Sequence, residues 1–153
     1  MSDRVVVITG GQGQLGQAVI RAALDRGLKV AAIDHADVEA RGSDACLEIS
    51  GVDLTDADAT RAAMDRAQAH FGRIDALLNI AGGFVWQTVD DADPAWERMY
   101  RMNLVTALNA SRAALPHLKT SDQGRIVNVG AAGALKSGMG MGAYAASKSA
   151  VRR

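Results

Sequence analysis

The stretch Thr9-Gly-Gly-Gln-Gly-Gln-Leu-Gly16 constrains this chain more than any other, because of what flanks it. Upstream, Arg4-Val-Val-Val-Ile-Thr9 is a short β-branched apolar run, the pattern of a buried strand. Downstream, Leu15, Ala18, Val19, Ala22 and Ala23 recur at helical spacing and predict a helix with this face on a sheet. Gly11, Gly13 and Gly16 therefore fall at a strand-to-helix turn, where such a pattern points to dinucleotide binding. The chemistry needs glycine for a tight turn, for bare backbone beside a diphosphate, and for close helix–strand packing. The helix N-terminus adds free N–H groups and a positive dipole end. Gly10, Gly11, Gln12, Gly13, Gln14, Leu15 and Gly16 are the candidate phosphate loop.

A second feature agrees with the first. Leu28-Lys-Val-Ala-Ala-Ile33 predicts the next strand, and Asp34 follows it, eighteen residues after Gly16. An acidic side chain at about this distance meets the adenosine ribose hydroxyls in such folds. It would also repel a ribose 2′-phosphate, and Gln12 and Gln14 bring no positive charge to offset it. NAD(H) is thus expected over NADP(H).

The rest of the chain alternates strand and helix. Cys46–Ser50, Ile74–Ile80 and Arg125–Val129 read as strands. Thr55 and Asp58 resemble a capping box before a helix with Ala63, Met64, Ala67 and Phe71 on one face and Gly72 at its end. Asp93-Pro94 reads as an N-cap followed by proline, opening a long helix towards Pro116 whose packed face is Leu104, Leu108, Ser111, Ala114 and Leu115. Repeated βα units with buried strands predict an α/β fold with a doubly wound parallel sheet. At 153 residues and 48% apolar, the chain suffices for one domain with a real core. A formal net charge of zero without basic clusters argues against nucleic acid or an anionic membrane as partner. A single cysteine and an N-terminus unlike a signal peptide point to the cytoplasm.

Tyr144 and Lys148 stand four residues apart on the last predicted helix and share a face. A cation brought beside a phenol favours the phenolate, so Tyr144 is a candidate general acid/base for hydroxyl–carbonyl interconversion.

Taken in order, these motifs resemble those of the short-chain dehydrogenase/reductase family, over essentially the whole chain. The resemblance implies a Rossmann-like three-layer αβα domain over residues 1–153, cut after its fifth strand. It implies that Asp53 meets the adenine ring, and that Asn79-Ile-Ala-Gly82 corresponds to the family's Asn-Asn-Ala-Gly motif, adding Asn79, Ala81 and Gly82 to the cofactor set. Asn103 matches the asparagine that holds a proton-relay water, and Lys148 is expected to bond the nicotinamide ribose as well as tune Tyr144. A small-molecule substrate and a homo-oligomer built through the two long helices are implied too.

Two departures stand out. Thirteen residues before Tyr144, where the family carries its catalytic serine, this chain has Ala131, with Ser137 as a possible substitute. Alanine there, and Ala81-Gly82-Gly83, are similar to the dihydropteridine reductase branch, which prefers NADH. The second departure is length: the family continues through two further strands and a helical lid. A piece of a longer protein, a truncated gene product and a deliberately shortened chain all stay open. In isolation the 153 residues are expected to bind cofactor weakly, to lack turnover, and to aggregate through Ile126, Val127 and Val129 on an uncovered edge.

Two functions are weighed. One is an NAD(P)-dependent oxidoreductase moving a hydride between nicotinamide and a small carbonyl, hydroxyl or pterin-like substrate through Tyr144, Lys148 and Asn103. The alternative is a non-catalytic dinucleotide-binding or interaction module, favoured by Ala131. His35, His70 and His117 match no metal-ligand spacing, so no metal is expected. Asp90, Asp91 and Asp93 read as a solvated helix cap, Trp86 and Trp96 as packing or a pocket wall, and Cys46 as a buried inert thiol.

Overall fold

Five strands, β1 (Val5–Thr9), β2 (Lys29–Ile33), β3 (Cys46–Ile49), β4 (Ala76–Asn79) and β5 (Arg125–Asn128), lie in one sheet in the order β3-β2-β1-β4-β5. Every pairing is parallel. The computed structural model describes residues 3–37, 43–91 and 95–153. The helices are α1 (Gln14–Leu24), α2 (Ala57–Phe71), α3 (Ala95–Met99), α4 (Thr106–Leu118) and α5 (Gly142–Arg152), with a π-helical stretch, Tyr100–Val105, joining α3 to α4. The chain is thus a doubly wound, Rossmann-like α/β fold, as its strand and helix patterns predict.

Strand side chains alternate between the two faces, and each face builds its own core. Val7, Ala31, Ile33 and Leu77 pack with Ala63, Met64 and Ala67 of α2 and Ala110, Ala114 and Leu118 of α4. On the other face, Val6, Ile8, Val30 and Ala32 meet Val19, Ile20, Ala23 and Leu24 of α1. The predicted face of α2 is the buried one, and Gly72 closes that helix in the left-handed conformation.

The structure corrects three local expectations. Asp56, not Thr55, caps α2: its carboxylate accepts from Asp58 N (2.8 Å) and Ala59 N (3.0 Å). On α1, Leu15 and Ala18 are exposed, and Ile20 packs instead. On α4, Leu108 and Leu115 are exposed, while Ala107, Ala110, Ala114 and Leu118 are buried. The π turn shifts the phase of α4, and its small side chains allow close approach to α2. The helix also runs through Pro116 to Leu118. Asp93-Pro94 lies outside the described residues.

At the N-terminal edge of the sheet, buried Asp75 ties three strands together. Its carboxylate accepts from Val5 N (2.8 Å), Arg73 Nε (2.8 Å) and Nη2 (2.6 Å), and Ser121 Oγ (2.7 Å). Burial pushes this carboxyl up, yet the bonds from Arg73, Ser121 and Val5 outweigh it and hold it at about 2. A depressed carboxyl stabilises the fold above its unfolded value of about 4, and the contribution is lost as pH falls through the folded value. Asp75→Ala is expected to cost about 3 kcal/mol at neutral pH, since it strips a charged acceptor from several donors and leaves Val5 N buried and unpaired. Urea titrations of both proteins at pH 7 and pH 3 check this: the gap should narrow at the lower pH, and equal midpoints at pH 7 would refute it.

β5 lies at one edge of the sheet, and all four of its residues are exposed. Among the described residues, no helix is long and apolar enough to cross a membrane.

Candidate active site

In this strand order the chain reverses direction of winding between β1 and β4. Ligands on such sheets bind beyond the carboxyl ends of the strands at that point. A cleft of about 1070 Å³ opens there, lined by the glycine loop, by Asp34 and Asp53 beyond β2 and β3, and by Ala81 and Gly82 beyond β4.

The loop is anchored from below. Gly10 N and Gly11 N donate to Ile33 O (2.9 and 3.3 Å), and Gly10 takes φ +72°. A side chain is barred there twice over, by that conformation and by Ala81 N at 2.8 Å from where its Cβ would stand. At Gly16 a Cβ would run into the Gly10 carbonyl, so α1 can approach β1 only through a bare Cα. Gly13, the α1 N-cap, brings no side-chain hydrogen bond, leaving the first-turn N–H groups beside the cleft. Gly10, Gln12, Gly13, Gln14, Leu15 and Gly16 line the cleft. Gly11 does not; it is buried with its Cα against Ala32 and Ile20.

Asp34 Oδ2 accepts from Gln12 N (2.9 Å) and Oδ1 from Ala36 N (2.9 Å). One carboxylate therefore fixes both its own loop and the glycine loop. Thr55 N donates to Asp53 (2.8 Å) and holds that exposed carboxyl below its ordinary range. Across the cleft Arg101 donates to Thr55 Oγ1 (3.0 Å), and Arg98 and His35 also line the walls. No spacing signal marked these three residues, because they reach the cleft only through the tertiary fold.

Asn79 stands behind the cleft instead of in its wall. Its Nδ2 donates to Asn128 Oδ1 (2.8 Å) and Ser111 Oγ (3.1 Å), bracing β4 against β5 and α4. Thr9 does similar work between β1 and β4, its Oγ1 accepting from Ile80 N (3.1 Å) and Ala81 N (3.2 Å).

Beyond Gly82 the cleft meets the residues expected to carry chemistry. Asn103, 1% exposed, sits in the π stretch and clamps Gly83: Oδ1 accepts from Gly83 N (2.9 Å) and Nδ2 donates to Gly83 O (3.1 Å). Nδ2 also donates to Ser147 Oγ (2.9 Å), which donates to Tyr144 O (2.8 Å). Asn103 thereby couples the loop after β4 to α5. Lys148 is buried, and burial lowers its pKa. Its Nζ donates to Val129 O (2.9 Å) and lies 3.4 Å from where a Gly82 Cβ would be. No hydrogen bond joins it to the Tyr144 hydroxyl. Ala131 is extended at the start of a short 3-10 turn, and Ser137 is exposed on the following loop.

The remaining polar residues have local roles. Asp91 closes a turn by accepting from Thr88 N (2.6 Å). Cys46 is only partly buried, and burial with nearby Glu48 pushes its thiol up. Among the described residues, no three His, Cys, Asp or Glu side chains cluster.

Comparison with known proteins agrees with this geometry. The model of the family described as short chain dehydrogenase matches residues 4–153. The chain is 36% identical to 2-(S)-hydroxypropyl-CoM dehydrogenase 3 of Xanthobacter autotrophicus, over 99% of this chain and 62% of that protein. It is 31% identical to fluoren-9-ol dehydrogenase of a Terrabacter species, over 93% of this chain and 44% of the relative. It therefore spans about half to two-thirds of the length of such relatives. Among solved structures it resembles a short-chain dehydrogenase/reductase from Serratia marcescens, with TM-score 0.87 and 31% identity over 98% of this chain and 68% of that one. Ligand-free aldohexose dehydrogenase of Thermoplasma acidophilum gives TM-score 0.88 and 30% identity over 97% of this chain and 57% of that chain. The chain belongs to the short-chain dehydrogenase/reductase family.

Proposed function

We propose that the protein is a nicotinamide-dependent oxidoreductase interconverting a secondary alcohol and a ketone, with NAD(H) preferred over NADP(H). One observation carries the reading: the cleft that joins the glycine loop to Asp34 ends at Gly82, beside Lys148 and the Asn103 clamp. The residues fit a dinucleotide, because the phosphate end of the cleft is bare backbone at Gly10 and Gly13 and the ribose end holds a fixed carboxylate. When bound, the nicotinamide supplies or accepts the hydride. Tyr144 gives its hydroxyl proton to the carbonyl oxygen during reduction and takes it back during oxidation. Lys148, held by Val129, would bond the nicotinamide ribose, and Asn103 keeps Gly83 and α5 in register.

The names of both relatives above denote alcohols with the hydroxyl on a secondary carbon, which supports that substrate class. A pterin-like substrate is the second reading, favoured by Ala131, which offers no hydroxyl to a ketone oxygen. The exposed Leu108 and Leu115 support a homo-oligomer formed through α4.

Asp34 decides the cofactor. Its carboxylate would face a 2′-phosphate, and the guanidinium of Arg101 is engaged at Thr55. Calorimetric titration of a version extended to the family's length should show NAD(H) binding at least tenfold tighter than NADP(H), about 1.4 kcal/mol or more. Equal or tighter NADP(H) binding would remove Asp34 from the ribose site.

A further inference from the structure

The Tyr144 ring stands among apolar groups. Phe84 meets it edge to face, with centroids 5.1 Å apart and planes at 82°. On another side, a Cβ at Gly133 would lie 3.7 Å from both Tyr144 Cε1 and Met141 Cε. Phe84 is held at both ends of its segment. Gly83 before it is clamped by Asn103, and Gln87 after it donates its N–H to Gly140 O (3.0 Å). The Trp86 indole also covers Gly140, where an added Cβ would run into the ring, so no side chain fits. A fixed aromatic ring, 49% exposed, therefore sits beside the candidate acid/base.

The two segments that flank Tyr144, 84–89 and 130–143, expose Trp86, Leu135 and Met139 as well. Their one charged residue is Lys136, on the surface. Neither segment carries a buried cation, and the nearby Lys148 is turned to Val129 O, so an anionic substituent packed against these walls would lose water without an ion-pair partner in them. A flat apolar one would gain ring contact with Phe84 and release water.

We propose that Phe84 is the specificity-determining residue of this reaction site, selecting alcohols and ketones whose reacting carbon bears an uncharged aromatic group that packs on its ring. The proposal rests on the reading of Tyr144 as acid/base. The test compares three probes, 1-phenylethanol, 2-butanol and 4-(1-hydroxyethyl)benzoate, in NAD-dependent oxidation. A parallel titration of each into protein with NAD⁺ follows tryptophan fluorescence.

The aryl alcohol should show kcat/KM about tenfold or more above both others. Phe84→Ala should shrink the ratio of aryl to alkyl kcat/KM by about tenfold, through KM, whereas Phe84→Tyr should keep it. A ring needed only to support Tyr144 would lower both substrates alike and leave the ratio unmoved, which would overturn the proposal. Oxidation of 2-butanol or the benzoate with no preference for the aryl alcohol would overturn it too, with the oxidoreductase reading intact. Saturable binding of 1-phenylethanol that Phe84→Ala abolishes, without turnover of any probe, would support the subsite while counting against the role of Tyr144. No binding and no turnover of any probe would overturn it.

Discussion

In a version extended to the family's length, Tyr144→Phe is expected to lower turnover by a factor of about a hundred or more, with NAD(H) affinity nearly unchanged. The substitution is clean because the ring keeps its packing: Phe84 meets its edge and Gly133 and Met141 lie alongside, and none of these contacts uses the hydroxyl. Only the proton carrier is lost. Position 131 carries alanine, which has no hydroxyl to take over. Lys148→Met should behave differently. It deletes a buried donor, leaves Val129 O without its partner, and removes the cation next to Gly82, so turnover and cofactor affinity should fall together. Steady-state rates beside calorimetric cofactor titration separate the two patterns. Near-full activity in Tyr144→Phe would mean that another group moves the proton.

The second large effect is expected at Gly16. A methyl group there meets the Gly10 carbonyl and lies 2.9 Å from Gly11 Cα, so both the α1 backbone and the loop beneath it must move apart. Overpacking of this kind costs about 1–3 kcal/mol. Because the displaced atoms are the cleft's own floor, NAD(H) affinity should drop by at least about tenfold as well. Gly13→Ala makes the informative contrast. Its Cβ would stand 3.4 Å from Gly10 O, a distance at which a slight adjustment suffices, so stability should hardly change while the methyl intrudes on the cleft. Thermal unfolding and cofactor titration of both variants check the pair. A Gly16→Ala protein as stable as its parent would show that α1 can settle further from β1 without penalty.

What could be read from the chain beforehand was whatever depends on neighbours in sequence. Val5 to Thr9, the glycine loop and Asp34 follow a local pattern of strand, turn and strand end, and the structure brings the loop and Asp34 together beyond the carboxyl ends of β1 and β2. The run from Ala63 to Ala67 repeats at ordinary helical period, and its buried face follows. The failures share a cause in long-range contact. Helical spacing puts Leu108 and Leu115 on the packed face, yet α4 turns alanines inward to approach α2. The bracing bonds of Asn79 have no local signature, since its partners Asn128 and Ser111 come from β5 and α4. Arg98, Arg101 and Phe84 carry no local signature, since each matters only through what another segment brings beside it. Asp56 shows a finer limit: Thr55 and Asp58 fit the capping pattern, and the carboxylate between them wins because an ionised acceptor bonds two N–H groups at once.

The π stretch between α3 and α4 makes segment length, more than residue identity, the inherited quantity here. A π turn holds one residue more than an α turn, so losing a single residue between Tyr100 and Val105 would restore ordinary winding and shift side chains of that stretch by one position, about 100° around the helix. Asn103 would swing off Gly83 and Ser147, although every side chain of the clamp were still encoded. A descendant of this protein could exchange letters around Asn103 in that stretch and keep the clamp; one that dropped a codon there would lose it.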